Sequence, residues 1–472
     1  MGAIAGVITK GPEDVESLVE AMLRALTHRG PQAKTMTVEG ARRNGFTSAI
    51  GCSSHRNLEA QIAESKTTVA TIDGSFFERP QNGKAQFVHD RLAKASSIPR
   101  TIRSIMEEPG AFAGLVIQKK QLYAFRDVNG LKPLYYARGR NLTAFASERK
   151  ALWRIGLKDA QRVAPGFLLT VTERKLSETR LMQLPRPVEK KMTIGQASAR
   201  LSRLLIKSIQ RITKGVDKVA VAFSGGLDSA LTAILAKNAH VKVEAVSVGL
   251  SGSPEPSTVE KFARELGLPI TVETFNPDSF EEYVRRVMWL IEEPNLMKVS
   301  VAVPLHWAAM VAARRGYTVM LCGQGSDELY GGYYKYARTL DGKGRSALVA
   351  ELYRSVVESS QVNYERDDQA TSPFGVELRT PFADLDVIKF SLTIPSEFKV
   401  KEGNDLTRKW VLRTVAKGSG LPDDIVWRRK KAIQHGTGVE NAIRKLAKGS
   451  RLTAEGYLSR QHEEVIKMKS MP

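Results

Sequence analysis

Apolar residues over the first 185 positions come in short blocks separated by glycine, proline and charged turns. The blocks Ala3–Thr9, Thr68–Ile72, Ala113–Gln118, Gln121–Arg126, Leu134–Ala137 and Gly166–Val171 predict strands, and the spacing predicts one helix over Pro12–Leu26. The stretch Leu184-Pro185-Arg186-Pro187-Val188-Glu189-Lys190-Lys191 is rich in proline and charge and follows neither period. From Ile194 to Ile212 the period turns helical, with Leu201, Leu204, Leu205 and Ile209 on one stripe. A first domain over 1–185, a linker over 186–193 and a second domain over 194–472 are therefore expected.

Past the linker, continuous apolar runs at Lys218–Phe223, Val241–Val248 and Thr318–Cys322 alternate with helical segments that start at Ser229 and run through Leu266 and Val287. Strands apolar on both faces and separated by helices predict a parallel, doubly wound α/β sheet. The remainder, from about Tyr333, reads as mostly helical, without repeats or low-complexity tracts.

Composition narrows the class. With 472 residues, 42% hydrophobic and 26% charged, the chain is long and apolar enough for two to four globular domains. Disordered, collagenous and disulfide-stapled classes are excluded. No run approaches the roughly 18 consecutive apolar residues of a membrane span, and MGAIAGVITKGPEDVE lacks a signal-peptide core, so a cytoplasmic location without membrane contact is expected. Cys52 and Cys322 have no zinc or redox spacing and read as reduced, buried thiols. The net charge of +21 is spread over both halves and favours polyanionic partners, nucleotides and RNA included.

Candidate chemistry begins where the run ending at Phe223 turns through Ser224-Gly225-Gly226-Leu227-Asp228-Ser229 into a helix. Glycines let the backbone approach a ligand, the helix start offers N–H groups and a positive dipole end, and Asp228 can reach a Mg²⁺ bridging phosphates. A capped strand-to-helix turn is the alternative. A second loop repeats the design after Cys322: Gly323-Gln324-Gly325-Ser326-Asp327-Glu328, then Leu329-Tyr330-Gly331-Gly332-Tyr333. In a doubly wound sheet both loops lie at the carboxyl ends of strands, so Asp228 and Asp327 can share one Mg²⁺.

These strings carry a specific resemblance. The first resembles the SGGxDS pyrophosphate loop of N-type ATP pyrophosphatases, and the second resembles the SGEGSDExxGGY loop of glutamine-hydrolysing asparagine synthetases. Val246 to Pro254 resembles that family's SVGLPGSPD stretch around adenine, Gly375 to Asp384 its GVExRxPFLD, and Trp427 to Lys431 its WRxK. The resemblance covers essentially the whole chain. It implies an adenine nucleotide alpha hydrolase-like synthetase domain using ATP and Mg²⁺. Ser224, Gly225, Gly226, Asp228, Ser229, Val248 and Gly323 would bind the nucleotide, Asp228 and Asp327 the metal, and Lys430 would balance charge on the reacting phosphate. A carboxylate, aspartate foremost, would be adenylated with release of pyrophosphate and passed to ammonia.

The first domain resembles a class II glutamine amidotransferase, an α+β sandwich of the N-terminal nucleophile type, through His28-Arg29-Gly30-Pro31, Ala111 to Leu134, Phe145 to Leu152 and Ala164 to Gly166. That family attacks glutamine with an N-terminal cysteine, where this chain has Gly2. Its oxyanion-binding Asn-Gly pair corresponds to Asp73-Gly74, and an arginine expected near Thr47 to Ile50 is missing. Loss of glutaminase activity follows, with His28 left to packing.

One departure touches the synthetase chemistry itself. Gln324 stands where asparagine synthetases place an acid, and a neutral amide takes no proton. Gln324 and Lys430 are the two catalytic candidates. Besides an ammonia-dependent amide ligase, a ligase for another carboxylate and amine, β-lactam-synthetase-like or RNA-linked, and a non-catalytic scaffold stay open. A second copy of the chain and a separate glutaminase are compatible partners. His306, Trp307 and the tyrosines Tyr330, Tyr333, Tyr334 and Tyr336 read as packing residues rather than site residues.

Overall fold

The computed structural model describes residues 2–11, 13–38, 47–56, 58–79, 83–172, 175–252, 256–429 and 433–467. They form two compact units, one running up to Gln183 and taking in Ser372–Gly375, the other comprising Leu184–Thr371 and Val376–Lys467.

The first unit pairs two antiparallel sheets. One holds β1 (Gly2–Thr9), β2 (Gln32–Val38), β3 (Thr47–Ser54), β8 (Tyr135–Arg138), β9 (Leu142–Ala146) and β10 (Gln161–Arg162) in the order β10-β8-β9-β1-β3-β2. The other holds β4 (Ile62–Glu64), β5 (Thr68–Phe76), β6 (Gly110–Gln118), β7 (Gln121–Arg126), β11 (Phe167–Val171) and β12 (Leu176–Arg180) in the order β12-β11-β7-β6-β5-β4. Alternate residues of β1 serve two cores, Ile4 and Ile8 meeting Leu115, Ile117 and Leu122 of the facing sheet. Ala3, Ala5 and Val7 point instead to helices α1 (Val15–Arg24) and α4 (Arg149–Arg154). Helices α2 (Lys84–Ala93) and α3 (Ile98–Met106) cover the outer face of the second sheet through Val88, Leu92, Ile102 and Ile105. The result is a four-layer helix-sheet-sheet-helix sandwich, and burial of both faces is why its central strands read as unbroken apolar runs.

Several elements differ from the sequence expectation. The first helix starts at Val15, because Asp14 caps it by accepting from the N–H groups of Glu16 and Ser17; Pro12 lies outside the described residues. The run at Thr68 continues as strand to Phe76. Strands β2, β3, β4, β9, β10 and β12 and helices α2, α3 and α4 were not expected, their sequences being serine-rich, polar on one face, or short.

The second unit opens with α5 (Ile194–Ile212), begun by a capping box between Thr193 and Gln196. Its strands are β13 (Lys218–Ala222), β14 (Lys242–Leu250), β15 (Ile270–Phe275), β16 (Val319–Leu321) and β17 (Glu377–Arg379), all parallel, in the order β15-β14-β13-β16-β17. The region after Tyr333, expected to be mostly helical, therefore also supplies an edge strand. Crossover elements include α6 (Leu227–Asn238), α7 (Pro256–Glu265), α8 (Phe280–Ile291) and α9 (Leu296–Arg314). Among the described residues, α9 alone is long and apolar enough to cross a membrane, yet 72% of its apolar window is buried inside this unit. Its Trp307 is fully buried and stacks on Phe275 at 4.3 Å, and His306 bonds the Ala370 carbonyl through Nδ1 at 2.9 Å.

Candidate active site

The strand order reverses between β13 and β16, the place where parallel α/β sheets bind ligands. Ala220 pairs with Met320 and Val221 with Leu321, so the two glycine loops leave the sheet at nearly the same level. Gly323 lets them touch: a Cβ there would lie 2.7 Å from the Cβ of Asp228 and 3.1 Å from its carbonyl carbon.

The first loop is braced from within and from outside. Ser229 Oγ accepts from the Ser224 N–H at 3.2 Å and donates to the Gly226 carbonyl at 3.1 Å. Gly225, at φ +64°, turns its carbonyl to Arg428, whose Nη1 donates at 2.9 Å while the guanidinium lies 5.1 Å from the Phe262 ring centre. Gly226 starts α6 without a side-chain cap, so the first amides of this 12-residue helix remain open to a ligand. The second loop feeds α10 (Ser326–Tyr330).

Asp228 and Asp327 converge on one cation, the ammonium of Lys409. Its Nζ is 2.7 Å from both Oδ1 and Oδ2 of Asp228, 2.6 Å from Asp327 Oδ1 and 3.0 Å from Ser326 Oγ. Burial disfavours the charge of Lys409, but the two carboxylates outweigh it and hold its pKa above the ordinary lysine value. The lysine is aimed by a strained turn, with Arg408 and Lys409 both left-handed at φ 47° and 55°. Asp405 holds the turn: Oδ1 accepts from the N–H groups of Thr407 and Arg408, each at 2.8 Å, and Oδ2 from Trp410 Nε1 at 2.8 Å. These bonds keep the Asp405 carboxyl below its usual range against the opposing effect of burial.

The cleft at this point encloses about 480 Å³. Ser224, Gly226, Asp228, Ser229, Gly323, Gln324 and Asp327 line it, joined on the apolar side by Met297, Val301 and Leu305. Gly225 and Val248 are not among its lining residues: Gly225 faces Arg428, and Val248 sits part-buried within β14. Lys430 lies outside the described residues.

Gln324 is tied down on both sides. Its carbonyl accepts from Thr380 Oγ1 at 2.6 Å, and its side-chain Nε2 donates to Asp367 Oδ2 at 2.8 Å. Asp367 is buried on α11 (Glu365–Thr371) and accepts through Oδ1 from Arg366 Nε at 2.7 Å. Burial raises its pKa, an effect that Arg366 and Gln324 oppose without cancelling.

Of the tyrosines, Tyr330 and Tyr336 are packing residues, Tyr334 is exposed, and Tyr333 lines the cleft. Tyr330 and Tyr336 are fully buried, the first bonded to Ser391 Oγ at 2.8 Å, and Tyr333 donates to Glu328 Oε1 at 2.7 Å. Cys52 and Cys322 are buried free thiols whose pKa values burial pushes up to about 12.

In the first unit, the residues around Gly2 form a buried charge network. Arg29 donates to the Gly2 carbonyl at 2.7 Å, to Glu148 at 2.9 Å and to Asp73 at 3.1 Å. Lys150 also bonds Glu148, and His28 Nε2 lies 2.9 Å from Glu148 Oε2, so His28 belongs to this network rather than to apolar packing. A Cβ at Gly2 would come within 2.3 Å of the Ser53 carbonyl oxygen and 2.5 Å of Gln61 Oε1. Gln61 is itself anchored on Ser54 Oγ at 2.6 Å.

Fold and site define a nucleotide-using α/β enzyme unit accompanied by a four-layer sandwich. The asparagine synthase family model matches residues 200–344 and 338–466, together more than half of the chain, and a glutamine amidotransferase domain model matches 95–154. A Methanocaldococcus jannaschii protein that carries the name of a glutamine-hydrolyzing asparagine synthetase is 34% identical over 72% of this chain and 70% of its own length. Asparagine synthetase 3 of Arabidopsis thaliana is 27% identical over 79% of this chain and 68% of its own, and an Acanthamoeba polyphaga mimivirus relative 26% identical over 68% and 62%. The chain belongs to the asparagine synthase family, and with it to the ATP-dependent carbon–nitrogen ligases.

Sequence reasoning missed Lys409 and Asp367. Lys409 stands in an ordinary Arg-Lys-Trp stretch, and Asp367 in a charged run that reads as a solvated helix face. Only the positive-φ turn and the packing of α11 bring them to the loops.

Proposed function

We propose that this protein adenylates a carboxylate, aspartate foremost, on ATP held with Mg²⁺, releases pyrophosphate and transfers the acyl group to ammonia, in the cytoplasm and without glutaminase activity of its own. The observation that carries the reading is the convergence of Asp228 and Asp327 on a single cation point at the switch of the sheet. Two hard-oxygen ligands around a point that already holds a positive charge suit a magnesium ion that draws its other ligands from phosphate and water. Among the described residues, no group of three or more His, Cys, Asp or Glu offers a fuller cage. When bound, magnesium supplies charge that offsets the leaving pyrophosphate. The open amides at the start of α6, with Ser224 and Ser229, bind anionic oxygens, and Arg428 keeps the loop in shape. Lys430 is assigned to charge on the reacting phosphate.

Absence of glutaminase activity is supported by the packing around Gly2. Gln61 and the Ser53 carbonyl fill the volume a nucleophile would need, and Asp73 is committed to Arg29. The test is pyrophosphate release from ATP with magnesium, aspartate and ammonium. Formation of asparagine from ammonium, with glutamine unable to replace it, supports the reading; release only with glutamine defeats it.

A second reading, a ligase for another carboxylate and amine, is favoured by Gln324 and by the apolar lining from Met297, Val301, Leu305, Val362 and Ile433. ATP–pyrophosphate exchange across a panel of carboxylates separates the two.

A further inference from the structure

We propose that Asp367 is a positioning residue that fixes Gln324 so that its side-chain carbonyl faces the cleft, making a docking point for the N–H of the incoming amine. The inference rests on the amide-ligase reading and adds to it a residue that orients Gln324. Asp367 accepts on both oxygens, Oδ1 from Arg366 Nε at 2.7 Å and Oδ2 from Gln324 Nε2 at 2.8 Å. A carboxylate so engaged offers Gln324 only an acceptor, so the amide must turn its NH₂ inward. Gln324 lines the cleft, and its Oε1 is then the side-chain atom presented there. The Thr380 hydroxyl, on the Gln324 main-chain carbonyl at 2.6 Å, prevents the loop from following a rotation of the side chain. An amide oxygen accepts a hydrogen bond without taking the proton. The subsite therefore orients an amine and does not deprotonate it.

The polarity of the contact gives the test. In Asp367→Asn, Arg366 still claims the side-chain oxygen, so the new NH₂ faces Gln324 and forces its amide to flip, presenting a donor to the amine. Adding Gln324→Glu restores an acceptor in the cleft, because the new carboxylate accepts from the amide introduced at position 367 with one oxygen and keeps the other free. The full chain is assayed in two stages: ATP–pyrophosphate exchange with aspartate, and amide formation against ammonium chloride concentration. Asp367→Asn is expected to raise the KM for ammonia about tenfold with exchange within about twofold of wild type, and the double variant to recover most of that loss. Should Asp367→Asn not fold, Gln324→Leu removes the acceptor together with the amide that donates to Asp367, and is expected to raise the ammonia KM similarly. An unchanged ammonia KM in a folded single variant, or a double variant no better than Asp367→Asn, overturns the inference. Wild type with no exchange for any carboxylate brings down the underlying reading instead.

Discussion

Lys409 Nζ stands 2.7 Å from both carboxylate oxygens of Asp228, a bidentate contact whose ammonium also reaches Asp327 at 2.6 Å. Without a bound cation, two acidic groups this close repel each other and lose solvation. The lysine, one positive charge between two negative ones, offsets much of that repulsion.

Lys409→Met is therefore expected to destabilise the free protein. A fully buried pair costs about 3–5 kcal/mol when one partner is removed. The Asp228 side chain keeps 25% of its exposure, so a loss of about 2 kcal/mol is expected from urea unfolding. Magnesium without ATP should raise the melting temperature of the variant more than that of wild type, because the freed carboxylates then have only the metal as counter-ion. Equal shifts would separate Lys409 from the metal point.

Gly323→Ala tests the contact between the loops. The added methyl would lie 2.7 Å from the Asp228 Cβ, so one loop must retreat. Overpacking of this kind costs about 1–3 kcal/mol. Exchange activity should fall by at least about tenfold, since shifts of about 1 Å at a reacting centre cost that much or more. Full activity would show that the loops tolerate separation.

Gly2→Cys restores the missing thiol but not the space for it. Its Cβ would press against the Ser53 carbonyl and Gln61. Glutamate release from glutamine should stay at background and the melting temperature should drop. Measurable glutaminase activity in this single variant would overturn the account of the filled site.

His306 predicts part of the acid response. Burial pushes its pKa down to about 4 from 6.5, so between those values the unfolded chain binds a proton that the folded chain refuses. Stability from this residue is present above pH 6.5 and is lost as pH falls toward 4, by about 3 kcal/mol in all. In His306→Gln that part of the fall should be missing, read as the difference between the two unfolding free energies at pH 7 and pH 4. Parallel curves would refute it.

Much of the second unit was legible because its strands are buried on both faces and its loops are short. The runs ending at Phe223 and Cys322 and the glycines after them lie in one stretch each, so sequence order already carries the local geometry. The first unit was less legible. Strands such as β12, Leu176–Arg180, bury no residue fully and read as polar, while serine- and glycine-containing β3 gains its burial from partners distant in the chain. β17 was hidden for the same reason: three residues within a helical region become a strand only by pairing with β16.

By itself the sequence determined which chemistry was on offer: two acidic glycine loops, an amide in place of an acid at Gln324, and a glycine at position 2. The tertiary structure alone decided what those groups face. Lys409 and Asp367 reach the loops through a left-handed turn and a buried helix, contacts set by packing between segments far apart in the chain, which no local spacing encodes.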